Sequence, residues 1–158
     1  MKSKLTIIFL LTILSFSLNS CKKEDFLTGS MSCKIDGISW SSITQITVLK
    51  SGFFNITATS MSGQVLNITI KGQEVGTYEL DVNNVNVACA AIYKPDISDE
   101  NQNFASKAGT VKITEIDTQN LTISGTFSFE LTDVNLTSTK SITEGKFTDL
   151  PYTNQDEK

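Results

Sequence analysis

The chain of 158 residues has no histidine and no arginine. Without histidine there is no Ser-His or Cys-His nucleophile pair, no imidazole metal site and no use of the commonest general base. Lysine alone supplies the basic side chains, so the planar forks that read phosphate and nucleic acid are missing. A net charge of −4 offers no basic patch to a polyanion, and nucleic acid is not an expected partner. No Gly-rich phosphate loop is present, and no cofactor is expected. No apolar run reaches the ~20 residues that a membrane-spanning helix needs.

What is present begins with a short apolar run from Leu5 to Leu18, preceded by Lys2 and Lys4. That arrangement fits the n-region and h-region of a signal peptide. It ends at Leu18-Asn19-Ser20-Cys21, which resembles a lipobox, with leucine three residues before the cysteine and a small residue just before it. The expectation is cleavage before Cys21 and lipid attachment to its thiol, so that lipid is the membrane anchor. The leader, residues 1–20, carries two lysines and no acid, so the remaining chain is more acidic than the whole. Residues 21–30 read as a tether, 31–152 as one all-β domain and 153–158 as a polar tail. Glu24 and Asp25 resemble an acidic export signal of surface lipoproteins, diluted by Lys22 and Lys23. The expected location is the outer membrane, displayed at the cell surface or facing the periplasm.

From Met31 onward the pattern is strand after strand. Leu121 to Leu131 places leucine, isoleucine, phenylalanine and one glycine at every odd position and polar residues at every even one. Period two over that length indicates a strand with one buried face. Gly125 marks a bend or a close backbone approach. Shorter segments repeat the signal at 31–35, 43–49, 54–58, 66–70, 76–80, 87–93, 111–116 and 139–148, and Asp36-Gly37 reads as a hairpin turn into Ile38-Ser39-Trp40. The expectation is eight or nine antiparallel strands forming a meander, closed as a β-sandwich or an up-and-down barrel. Either outcome buries Ile68, Ile70, Ile113, Phe127, Phe129 and Leu131.

Met31 to Trp40, with its Asp-Gly turn and aromatic residue, looks like the opening of small lipoproteins from Bacteroidota. Gly76-Thr77-Tyr78-Glu79-Leu80, the hairpin Ala108 to Thr114 with Ile123 to Phe129, and Ile142-Thr143-Glu144-Gly145-Lys146-Phe147 resemble their later strands. The chain is similar to the family catalogued as domain of unknown function 6252. That resemblance spans nearly the whole domain, specifies turns and strands, and implies no activity or catalytic residue.

The longest interval between strands is Asp96 to Ala108. Residues 99–108 could make a turn or two of helix, ended by Gly109. Asp96, Asp99 and Glu100 could touch a calcium ion but lack EF-hand spacing, and a solvated loop is the simpler reading, so no metal is expected. Phe104 is a lone large apolar residue among polar ones, either a lid folded onto the core or an anchor for a partner. The segment is the candidate recognition loop, through Asp96, Asp99, Glu100 and Phe104. Trp40, Tyr78 and Tyr93 are further candidate aromatics, with Trp40 read first as a core plug. Cys33 and Cys89 remain once Cys21 is lipidated. Strand parity faces both toward the core, either as free thiols or as a disulfide closing a loop of about 56 residues worth up to ~4 kcal/mol. The Asn-X-Thr triplets at Asn55, Asn67, Asn120 and Asn135 follow from Thr-rich strands.

The sequence thus points to a non-enzymatic envelope lipoprotein acting as an interaction or structural module, its partner an envelope protein or a small ligand. The alternative is a barrel-type carrier of a small apolar ligand. A carboxylate-based glycan hydrolase has no positive feature behind it.

Overall fold

The computed structural model describes residues 29–81, 86–99 and 102–156. The leader, Cys21, the tether before Gly29 and Glu100 lie outside the described residues. Within them the chain is strand and turn, with no helix. The strands are β1 (Ser30–Ile35), β2 (Ile38–Lys50), β3 (Phe53–Ser60), β4 (Val65–Lys71), β5 (Gly76–Asp81), β6 (Asn86–Val87), β7 (Cys89–Lys94), β8 (Phe104–Asp117), β9 (Thr122–Asp133) and β10 (Thr139–Asn154).

One sheet closes on itself in the order β1-β2-β3-β4-β7-β8-β9-β10, with β10 returning to β1. Neighbours are antiparallel, except where the end of β10 passes the start of β1 and runs parallel to β2 at Tyr152↔Thr47. The structure is therefore a barrel rather than an open sandwich. β5 is the departure from a simple meander. β7 pairs with β8 only at Ile92↔Ala105 and Tyr93↔Phe104. Beyond that point β5 takes its place beside β8, from Asp81↔Ala108 to Gly76↔Ile113.

Alternation decides which side chains fill the interior. β3 and β4 each bury every second residue, so Phe54, Ile56 and Ala58 meet Leu66, Ile68 and Ile70 inside. Their outer faces carry a cross-strand ladder, in which Asn67 donates to Thr57 Oγ1 (2.8 Å) and Thr69 donates to Asn55 Oδ1 (3.1 Å). Two of the four asparagine triplets thus serve the sheet. Phe127 lies between Phe129 and Phe147, each 6.3 Å away between ring centroids. All six positions expected inside are buried. An eight-stranded barrel has about this much interior, just enough for side chains to fill.

The rings fit because glycines stand opposite them. Gly109 pairs with Phe129, Gly125 with Phe147 and Gly145 with Phe127. A methyl group on any of the three would come within 2.2–2.5 Å of the facing ring. Gly125 is thus the close approach that the sequence suggested. Two interruptions in the β9–β10 register, before Gly145 and before Leu150, place Glu144 (φ 52°) and Asp149 (φ 48°) in the left-handed region. Such bulges bend a strand and raise its twist, which closure requires.

Several expectations need correction. Residues 104–108 are not helical but open β8, and Gly109 lies inside that strand. The interval 96–108 shrinks to a connection over 95–103, because the polar Ser106 and Lys107 belong to a strand. Ile38-Ser39-Trp40 and 43–49 form one strand, β2, with a register shift between Ser42 and Thr44 that turns Ile43 and Ile46 outward. Leu121 is not a core residue. It sits at φ 53° in the turn before β9, 38% exposed, while Thr122 and Ile123 are both buried. The expected tail begins as strand: β10 runs to Asn154, and Gln155 donates to Leu49 O (2.8 Å).

Candidate functional site at the barrel mouth

Strand direction sorts the connections to two ends. Gly29, the Ser51-Gly52 turn, residues 72–75, residues 118–121 and the last described residues share one end. The Asp36-Gly37 turn, residues 61–64, residues 95–103 and residues 134–138 share the other. Asp36 and Gly37 both have positive φ (52° and 80°), as a two-residue turn matched to strand twist requires.

At this second end a recess of about 250 Å³ opens over the core. Ile35, Trp40 and Tyr93, all buried, give it an apolar floor, and Asp36, Gln64 and Lys140 stand among the polar residues lining it. Lys140 Nζ donates to Asp36 Oδ2 at 2.7 Å and lies 5.7 Å from the centre of the Phe104 ring. The Ser141 N–H donates to the other Asp36 oxygen at 2.9 Å. These two bonds, that from Lys140 first, hold the Asp36 carboxyl below the usual carboxylate range. Burial pushes the Tyr93 phenol up, so it stays protonated at neutral pH. The Trp40 indole Nε1–H is buried with no hydrogen-bond partner. The charges on the rim are matched to each other, so the recess suits an uncharged group, and one carboxylate bonded to a lysine does not make an acid–base pair.

The structure divides the candidate recognition loop. Asp96 Oδ1 accepts from the Ser98 N–H (2.8 Å), and Gln102 N donates to Asp99 O (3.3 Å), so both acids shape the 95–103 connection at the mouth. Phe104 is 8% exposed and packs 6.4 Å from Tyr93 between ring centroids. It supports the floor and does not project as an anchor. Among the described residues no three acidic, cysteine or histidine side chains gather as metal ligands. Cys33 on β1 and Cys89 on β7 are buried free thiols. Burial pushes the Cys33 thiol up to about 12 and the Cys89 thiol up to about 11. Trp40 and Tyr93 were legible as aromatics, and the structure brings them together. Gln64, Lys140 and the exposed tips Met61, Val134 and Leu136 were not singled out. The one signal for the three tips was a large apolar side chain inside a turn-rich segment.

These features define a small closed antiparallel β-barrel with a packed interior and a recess at one mouth. The family model described as "Domain of unknown function (DUF6252)" matches residues 28–151, and the chain belongs to that family. No curated protein and no solved structure matches it.

Proposed function

We propose that this protein is an envelope lipoprotein, cut before Cys21 and held to the outer membrane by lipid, whose barrel is a non-enzymatic interaction module. The observation that carries the reading is the polarity of the barrel. The chain enters it at Gly29, packed against Leu150 at one end, and the recess lies at the other. An anchor on Cys21 therefore attaches at the end away from the mouth. The packed interior favours this reading over a carrier with its ligand inside the barrel, because the Phe127, Phe129 and Phe147 rings occupy that space.

Cys21→Ala should abolish lipid labelling and release the protein from membrane fractions; unchanged retention overturns the anchor. Protease treatment of intact cells separates surface display from the periplasmic face. A photo-crosslinking residue at Met61 or Leu136 should capture an envelope partner in living cells, whereas one at Asn120, at the opposite end, should not. Equal capture from both ends, or none, overturns the module.

A further inference from the structure

Every connection at the mouth, or the residue flanking it, displays a large apolar side chain to water. Ile38 is 73% exposed, Met61 85%, Ile97 62%, Val134 76% and Leu136 78%. Elsewhere among the described residues only Val75 at the opposite end and Ile43 and Ile46 on the β2 wall exceed half exposure. Single exposed apolar residues are ordinary, but their gathering around one recess is not. The recess itself, at about 250 Å³, holds one ring or one branched side chain. A small molecule of that size would leave the five tips in water, so the occupant must extend across the loops.

Charge selects among extended occupants. The described mouth connections and their flanks carry Asp36, Asp96, Asp99 and Asp133 against Lys94 and Lys140, and Lys140 is bonded to Asp36, so the acids outnumber the lysines. An anionic bilayer would be repelled by this excess. A second copy docked symmetrically would set the same acidic loops against one another. We infer that the mouth binds a polypeptide segment that seats one uncharged large apolar side chain in the recess and places basic residues over the acidic loops. An apolar centre with a charged rim is the usual anatomy of a protein interface. The inference rests on the reading of the barrel as an interaction module and names the chemistry of its partner.

The test is to pan a random heptapeptide phage library against immobilised mature chain, residues 21–158 with Cys21→Ser. Enriched peptides should share one aromatic or branched apolar residue flanked by lysine or arginine. Synthetic copies should shift the emission of Trp40, the only tryptophan. Ile38→Asp and Gln64→Phe, both at the rim, should weaken binding at least ~10-fold while the far-UV spectrum is unchanged. Leu136→Asp, on an exposed tip, should do so without any effect on the core. No enrichment, acidic consensus peptides, or affinities indifferent to all three variants overturn the inference. So do co-flotation with anionic phosphatidylglycerol vesicles, which would make the occupant a membrane, and a dimer dissolved by Leu136→Asp, which would make it a second copy. Peptide failure alongside intact crosslinks at Met61 and Leu136 overturns only the partner chemistry. Loss of both overturns the interaction module as well.

Discussion

Replacing Gly125 by alanine tests whether the glycine–phenylalanine pairs set the barrel's packing. The added Cβ would lie 2.4 Å from Lys112 O and 2.5 Å from Phe147 Cζ. Neither neighbour can yield cheaply. The carbonyl belongs to β8 where it pairs with β9, and the Phe147 ring is fully buried and stacked on Phe127. Overpacking of a tight core costs ~1–3 kcal/mol, and a backbone contact belongs at the upper end. Alanine recovers ~0.5–1 kcal/mol through the lower entropy of the unfolded chain. The net expectation is a loss of about 2 kcal/mol, which lowers Tm by roughly 6–10 °C in a domain of this size. Gly76→Ala is the matched control, since nothing lies within 4 Å of its added Cβ and no positive φ is involved. It should be neutral or slightly stabilising.

Urea denaturation of residues 22–158, followed by far-UV circular dichroism and Trp40 emission, measures both variants. Pairing Gly125→Ala with Phe147→Leu separates ring from backbone. If the ring clash dominates, the double variant loses at least ~1 kcal/mol less than the sum of the single losses. If Gly125→Ala costs under ~0.5 kcal/mol and matches Gly76→Ala, the packing argument is wrong.

The two thiols should be silent to a disulfide reagent in the native state, because burial pushes Cys33 up to about 12 and Cys89 up to about 11. Unfolding without reductant should release two reactive thiols per chain lacking Cys21; none would mean a disulfide. Asp36, Asp117 and Asp133 are all held below the usual carboxylate range, by bonds from Lys140, from Asn120 and from Thr137 respectively as the largest cause. Their contribution to stability is complete above the unfolded pKa of ~3.9 and is lost as pH falls through the lower folded values. Asp133→Asn should therefore flatten the fall in Tm as pH drops below the unfolded value of ~3.9, and an unchanged slope would refute its share. Leu136 has φ 58° and is mostly exposed, so Leu136→Asn should stabilise by up to ~1 kcal/mol, read as a higher urea midpoint.

The strands with no extra residue at a register shift were the most legible in sequence. β3, β4 and most of β9 keep strict alternation because each presents one face to the same core along its length. Alternation misleads where an extra residue enters. The shift between Ser42 and Thr44 moves Trp40 and Leu49, an odd number of residues apart, to the same inner face. Leu121 shows the same failure from another cause. Its apolar character extended the pattern of β9 by one residue, but the turn demands a left-handed residue there, and backbone geometry overrode hydrophobicity. Phe104 was hidden by its polar successors. Ser106 and Lys107 look like loop residues, yet Ser106 Oγ accepts the Ala91 N–H (2.8 Å) and Lys107 pairs with Glu130 (3.4 Å), so both serve the sheet.

Closure could not be read locally, because it depends on registers between strands distant in sequence. It is also what locates the candidate site. A closed barrel has no long free edge to add a strand, and this one has its interior occupied by rings fitted against glycines. The outer faces of β3 and β4 carry threonine and asparagine already engaged with one another. Apart from Thr47 Oγ1, Ile43 and Ile46 on β2 and Val75, what remains chemically unsatisfied among the described residues gathers at one end: a donor without an acceptor at Trp40, an apolar recess, and loop tips of isoleucine, methionine, valine and leucine in water. Each of these features weakens a barrel that exists only to be stable, and turn positions are where polar residues would be free to replace them. Recognition at the mouth accounts for all three together.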